Sequence, residues 1–416
     1  MIKYALFFLF VLETFFAYWL RHINLKHLKQ YGTSPPKGFE DAIDAEKLRV
    51  SAAYTLDSSR LGLWESLLDD LVLVVFLFGG ALALYDGFIA SFANGPVLNG
   101  ICFFLILTWV QTFLGIPFDL YGTFGIEARY GFNTTTVRVW ISDFLKSQAL
   151  GALLLSSLLG GVFWLIHWSP THWWIWVWAF MAFFSLFMMF ISPYVIEPLF
   201  NKFEPVTEPG LEDEIRSVME KAGLSVGRVT QMDASRRSKH SNAYFTGIGK
   251  VKRIVLYDTL ISQMTHGEIA AVLAHEIGHW KKKHILKRLL WAEALAFGGS
   301  WLAYQLLNWP GLPGLLGYSE PLSLSAKMVV LGFVISLAQF PLTPFLSWRS
   351  RCHEREADRF AADLTGKPED LASAMAKLSA ENLSNLFPHP WYAAFYYSHP
   401  PAVERVEQLK RWANER

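Results

Sequence analysis

An apolar run of roughly 18 or more residues is long enough to cross the hydrocarbon core of a bilayer as a helix. This sequence contains seven such runs, at about 2–20, 63–85, 97–119, 147–168, 173–198, 285–308 and 327–348. The cleanest are the third, "VLNGICFFLILTWVQTFLGIPF", and the fifth, "WWIWVWAFMAFFSLFMMFISPY". Composition agrees, with 52% hydrophobic and only 18% charged residues in 416, against about 25% charged in an ordinary globular domain. A polytopic, mainly helical membrane protein is expected, with water-facing parts that hold most of the charge.

Charges between the runs test that count. Loop 21–62 holds seven Lys/Arg, loop 120–146 holds three, segment 199–284 is rich in both signs, and the chain after 348 again carries many Lys/Arg. Loops 86–96, 169–172 and 309–326 hold none. The alternation is unbroken, so the positive-inside rule puts the N-terminus outside and the C-terminus in the cytoplasm. No small-residue cleavage site follows the first run, which reads as a retained helix rather than a signal peptide. Cys102 and Cys352 lie in unlike contexts and suggest no disulfide framework. The net charge of +1 carries no information about partners, and no nucleic-acid partner is expected. Glu13, Asp69, Asp70, Gln111, Glu293 and Gln339 lie within runs, and charged groups in spans rarely face lipid.

The spans and charge divide the chain into 1–198 (five spans), 199–284 (a water-facing part), 285–348 (two spans) and 349–416 (a C-terminal water-facing part). Within the water-facing part, "RVTQMD", "NAYFTGI" and "RIVLYDTL" are short β-like runs that suggest a small sheet. "TPFLSWRSRCHEREADRFAADLTG" and "HPPAVERVEQLKRWANER" read as helices.

His275-Glu276-Ile277-Gly278-His279 fits H-E-x-x-H, and Thr265 and Glu268 are spaced as a capping box ahead of it. Residues four apart share a helix face, so both imidazoles can reach one Zn²⁺. Glu276 is rotated off that face, where it can take the proton of an attacking water. Gly278 leaves room for a neighbouring backbone. Catalytic zinc takes three protein ligands. In "SRCHEREADRFAADL", Glu354 and Asp358 share a face, one suited to bind metal and the other to hydrogen-bond a ligand histidine. Cys352 and Glu356 point away from that face. Periodicity leaves Glu354 and Asp358 open.

"AHEIGHW", Ser350-Arg351-x-x-Glu354-x-x-Ala357-Asp358 and "SHPP" together resemble the membrane-embedded zinc CAAX prenyl proteases of the a-factor-converting type. "GIPFDLYGTFGIEARYGFN", "EPLFNKFEPV" and "HSNAYFTGIGKVKRIVLYDTLI" extend the likeness over nearly the whole chain. The resemblance implies Glu354 as third ligand of a single zinc ion, with Asp358 supporting. It implies an edge strand from Ser241 to Phe245 that pairs the substrate backbone, with Asn242, Ala243 and Tyr244 in contact. It sets His399 and Arg405 near the scissile bond, where each could donate to the oxyanion. It also implies the fold class, an all-α polytopic protein of seven transmembrane helices around a water-filled chamber, with a small α+β gluzincin-like domain.

The expected activity is zinc-dependent endopeptidase cleavage near the membrane surface, with Glu276 as general base. The substrate is a peptide or protein, of CAAX type or otherwise membrane-associated, with or without a lipid. Two rivals remain in view besides a quality-control protease indifferent to prenylation. An intramembrane site-2 protease would carry its H-E-x-x-H inside a span, whereas here "KKKH" follows it. A transporter or scaffold with structural zinc would tend to show four protein ligands or repeated halves, and neither is found. "WANER" carries no evident retrieval signal. The expected membrane is a prokaryotic inner membrane, or the endoplasmic reticulum if the chain is eukaryotic.

Overall fold

The structure is a computed structural model that describes residues 1–246 and 251–415. Helices occupy all seven predicted segments, and most extend past them. The first runs Ile2–Tyr31 and the second starts at Ala45, where Asp44 accepts from the Lys47 amide at 2.7 Å. The connection expected over 21–62 is therefore only 32–44, because a capped helix propagates through polar flanks once nucleated.

Among the described residues, five helices are long and apolar enough to cross a membrane: Ile2–Tyr31, Pro96–Glu127, Val137–Trp168, Trp173–Phe200 and Leu324–Thr365. The second predicted span is a pair, Ala45–Leu77 and Ala81–Phe92, bent by 70°. Gly80 makes the bend with φ +87°, a region open to glycine because it has no Cβ. The carbonyls freed there are capped by Tyr318 Oη on Leu77 (2.7 Å) and Lys3 Nζ on Phe78 (3.0 Å). The loop expected at 86–96 is thus helical up to Phe92, with Asp86 buried and accepting from the Ser323 amide at 2.8 Å.

The sixth predicted span, His284–Asn308, carries Lys287, Arg288 and Glu293 and does not meet the same length-and-composition criterion. Its outer face is nonetheless apolar, with Ile285, Leu290, Trp291 and Leu295 all exposed. Contiguous exposed apolar surface of this kind fits lipid. The last span continues into the water-facing part. Leu324–Gln339, a 3-10 turn at Phe340–Leu342 and Thr343–Thr365 form one rod of 42 residues. At 1.5 Å per residue this is roughly 60 Å, about twice the hydrocarbon thickness.

The water-facing part is a four-stranded sheet packed with helices. Its strands are β1 (Phe203–Pro205), β2 (Ser225–Met232), β3 (Ala243–Thr246) and β4 (Val251–Tyr257), ordered β1-β2-β4-β3. Strands β2 and β4 are parallel, and the outer strands are antiparallel to their neighbours. The run expected to extend to Leu260 ends at Tyr257, because Asp258 opens a helix through Gln263. Of the predicted "NAYFTGI" run, Gly247 and Ile248 lie outside the described residues. Ile254 and Leu256 of β4, Ile269, Leu273 and Ile277 of the helix His266–Lys281, and Val406 and Leu409 of the last helix share one core. A separate core around Phe103, Val330 and Phe333 ties the membrane helices together.

The predicted capping box is present. Thr265 Oγ1 accepts from the Glu268 amide at 3.3 Å, and Glu268 Oε2 accepts from the Thr265 amide at 2.9 Å. Buried Glu268 also accepts from Ser373 Oγ (2.6 Å) and Lys377 Nζ (2.8 Å), which fastens the helix Pro368–Glu381 to this cap. Thr265→Ala is therefore expected to lower stability by about 1 kcal/mol, measured as a fall in unfolding temperature of the detergent-solubilised protein.

Candidate metal centre and active site

The helix His266–Lys281 carries His275 and His279 on one face, and their Nε2 atoms face each other at 3.2 Å. Thr343–Thr365 crosses it at Gly278. A Cβ there would lie 3.0 Å from the Ala357 Cα and 3.1 Å from its carbonyl oxygen. Glycine is what lets the two backbones touch. This contact brings Glu354, three residues before Ala357, to the histidines: Oε2 is 3.4 Å from His275 Nε2 and Oε1 is 3.3 Å from His279 Nε2.

The ligand atoms of His275, His279 and Glu354 lie within 4.8 Å of one another. Glu354 is 2% exposed, and its Oε2 has no hydrogen-bond partner. A buried, orphaned carboxylate oxygen beside two facing imidazole nitrogens suits a cation. Two imidazoles and a carboxylate are a donor set that zinc accepts.

Of the two carboxylates left open by periodicity, the structure brings Glu354 to the Nε2 side and Asp358 to the opposite nitrogen. Asp358 Oδ1 is 2.8 Å from His275 Nδ1. Asp358 is in turn gripped by Arg405, Nε to Oδ2 at 2.8 Å and Nη2 to Oδ1 at 2.6 Å. This bidentate pair spends two donors of Arg405, and its Nη1 sits 3.8 Å from Glu354 Oε2. Burial works against a charged His275, but Asp358 on its Nδ1 and the Glu354 carboxylate beside its Nε2 outweigh it and raise its pKa.

Glu276 is one residue on from His275, partly exposed, with no hydrogen bond or ion pair to another described residue. His399 lies on an exposed turn, its Nε2 3.5 Å from Glu354 Oε1. Ser398 Oγ is 3.0 Å from His399 Nδ1. If that hydroxyl donates, the ring proton stays on Nε2, facing the site. Arg351, part of the Ser350-Arg351 motif, reaches the carbonyls of Ala393 (3.1 Å) and Tyr397 (2.7 Å) and so anchors this turn.

Strand β3 is the outer strand of the sheet, with one edge on β4 and the other unpaired by any described strand. Asn242 precedes it, exposed, its Oδ1 accepting from the Ala243 amide at 2.8 Å. Ala243 is buried, and Tyr244 donates to Glu197 Oε2 at 2.7 Å. The start of the strand is fixed by His240, which stacks on Phe132 with centroids 4.0 Å apart. Asn382 Oδ1 accepts from the Ser241 amide (3.3 Å), so it also accepts from His240 Nδ1 (2.9 Å). Glu127 Oε2 accepts from His240 Nε2 at 3.2 Å. Both ring nitrogens donate, and the bond to Glu127 raises the pKa of His240.

Three residues at this site escaped sequence reasoning: His240, Arg351 in its anchoring role, and His284. His284 is 1% exposed, with Nδ1 3.1 Å from His279 Nδ1. The available signal was a third histidine five positions after the second, read only as an interface marker.

Residues 24–202 match the family described as CAAX prenyl protease N-terminal, five membrane helices, and residues 205–413 match peptidase family M48. The chain is 36% identical to a CAAX prenyl protease 1 homolog of Oryza sativa over 396 residues, 90% of each chain. It is 31% identical to CAAX prenyl protease 1 of Saccharomyces cerevisiae, covering 91% of this chain and 88% of that one. The crystal structure of S. mikatae Ste24p superposes with a TM-score of 0.91 at 28% identity, covering 98% of this chain and 99% of that one.

Gly278→Val forces the helices that carry His275, His279 and Glu354 apart and is expected to cost about 1–3 kcal/mol by overpacking. Zinc should then raise the unfolding temperature less than it does in the wild type. For His240 the sign follows from its raised pKa. The contact contributes fully below about pH 6.5, the unfolded value, and fades as pH rises through the folded one. The stability gap between wild type and His240→Gln should accordingly shrink from pH 6 to pH 9, read by thermal unfolding across that series.

Proposed function

Because the chain belongs to peptidase family M48, a family of membrane metalloproteases where it carries these N-terminal helices, we propose that it is a one-metal endopeptidase. One zinc ion per chain would be held by His275, His279 and Glu354. The observation that carries this reading is the pair of facing Nε2 atoms beside the orphaned Oε2 of buried Glu354. Bound there, zinc supplies the Lewis acidity that polarises a scissile carbonyl and acidifies water to a pKa of about 7.

The chain's own residues supply the rest. Glu276, whose carboxylate makes no hydrogen bond or ion pair among the described residues, accepts the proton of the attacking water and passes it to the leaving amine. His399 donates from Nε2 to the developing oxyanion, and Arg405 adds its fixed charge from behind Glu354. Asp358 holds His275 with Nε2 turned inward. The free edge of β3 pairs the substrate main chain by strand addition, with Asn242, Ala243 and Tyr244 along the contact. No covalent acyl-enzyme forms in this scheme.

Relatives are named for CAAX prenyl proteolysis, which supports C-terminal peptides of that type, presented at the membrane surface, as substrates. A half-open recess of about 570 Å³, lined by Glu13, Tyr18, Arg21, Asp70 and Phe333, gives polar groups of the spans a space other than lipid to face, which supports a wet interior. The loop charges support a site on the cytoplasmic side.

Glu276→Gln should retain zinc, counted by atomic absorption, and lose peptide cleavage by about 10²–10⁴-fold. Near wild-type cleavage by this variant would remove Glu276 as the base. Digestion of a peptide library in detergent, with and without a C-terminal farnesyl group, decides the substrate class, since equal cleavage of both sets would remove prenyl dependence.

A further inference from the structure

We propose that His284 is a positioning residue for His279, and that Glu356 acts through it. The inference rests on the reading of His275, His279 and Glu354 as metal ligands. It concerns what holds the second of them.

His279 presents Nε2 to the site, so its Nδ1 must carry the ring proton and needs an acceptor. The acceptor within reach is His284 Nδ1, at 3.1 Å. An imidazole nitrogen accepts only if the proton sits on the other nitrogen. His284 Nε2 is 3.0 Å from Glu356 Oε2, and a carboxylate there accepts that proton's hydrogen bond. The three residues therefore have one consistent protonation pattern. Glu356 fixes the tautomer of His284, and His284 fixes the tautomer and ring angle of His279.

Packing and backbone agree. His284 is 1% exposed, its ring stacked on His353 with centroids 4.2 Å apart and planes at 10°. A buried imidazole is costly unless both nitrogens are bonded, and here both are. The ring reaches this place because Lys283 adopts φ +58°, ψ +33°. That left-handed conformation is uncommon for a residue with a Cβ, and it breaks the chain between the helix His266–Lys281 and the helix His284–Asn308. A continuous helix would carry residue 284 away around the axis. Backbone held in a sparsely populated region marks a place where the surroundings impose geometry.

The two ligand histidines are thus supported differently. Asp358 holds His275 directly and is itself held by Arg405. His279 is held by a neutral imidazole backed by a half-exposed carboxylate, from the first residue of the helix His284–Asn308.

The test uses the full-length protein in detergent, with zinc affinity measured by chelator competition and the visible spectrum of the Co²⁺-substituted form. His284→Leu should weaken zinc affinity by about 10–100-fold and alter the Co²⁺ bands. His284→Asn keeps an acceptor near the Nδ1 position and should recover most of both. Glu356→Ala, at a half-exposed site that folding tolerates, should give a smaller loss in the same direction. Wild-type affinity and spectrum in His284→Leu would overturn the proposal, as would equal loss in the Leu and Asn variants when both keep the wild-type helix content. If His284→Leu does not fold, Glu356→Ala decides, and an unchanged affinity and spectrum there overturns it. Failure of the wild type itself to bind zinc would instead sink the metal-site reading.

Discussion

Everything at the site depends on two helices approaching closely enough for their backbones to touch. His275 and His279 lie on one helix and Glu354 on another, and the crossing at Gly278 and Ala357 sets the distance between them. Side chains larger than hydrogen at 278 would hold the axes apart, and the carboxylate would no longer reach both imidazoles. A small residue at 357, fully buried, completes the same contact from the other side. The precision needed of a metal site comes from packed secondary structure rather than from a loop.

That second helix is also the end of a membrane span. Because the rod from Leu324 to Thr365 is nearly continuous, the position of Glu354 is rigidly linked to the helices that pack around Val330 and Phe333. The bilayer part and the hydrolytic part are therefore mechanically one piece on this side. On the other side the link is the turn at Lys283, where the H-E-x-x-H helix breaks and the next helix begins. His275, His279 and Glu354 are thus tied to the membrane helices on both sides.

Burying so much charge is costly unless each group has a partner. Asp358, Arg405 and His275 satisfy one another, Glu268 takes Ser373 and Lys377, and His284 is bonded at both nitrogens. Glu354 Oε2 and the Nδ1 of His353, whose ring stacks on His284, are buried without a hydrogen-bond partner among the described residues. The Glu354 oxygen lies beside two facing imidazole nitrogens, a setting that suits a cation.

The sequence by itself determined the membrane class, the helical nature of seven segments, the capped helix with its two histidines, and the short list of carboxylates that could complete the set. These are local properties: apolar run length, period 3.6 spacing and cap chemistry all act within a few residues. Helical periodicity could not choose between Glu354 and Asp358, where only the family resemblance pointed to Glu354, since both sit on one helical face and the crossing angle decides which carboxylate meets Nε2 and which meets Nδ1. Nor did it mark the 70° bend after Leu77, where Tyr318, some 240 positions away, caps the freed carbonyl. His284 stayed hidden for a similar reason. Its five-residue spacing from His279 does not share a helical face, and it faces that ring only because the backbone at Lys283 turns left-handed. Tertiary structure decided these points because each depends on the distance between atoms far apart in the chain, or on one unusual pair of dihedral angles, and no periodicity encodes either.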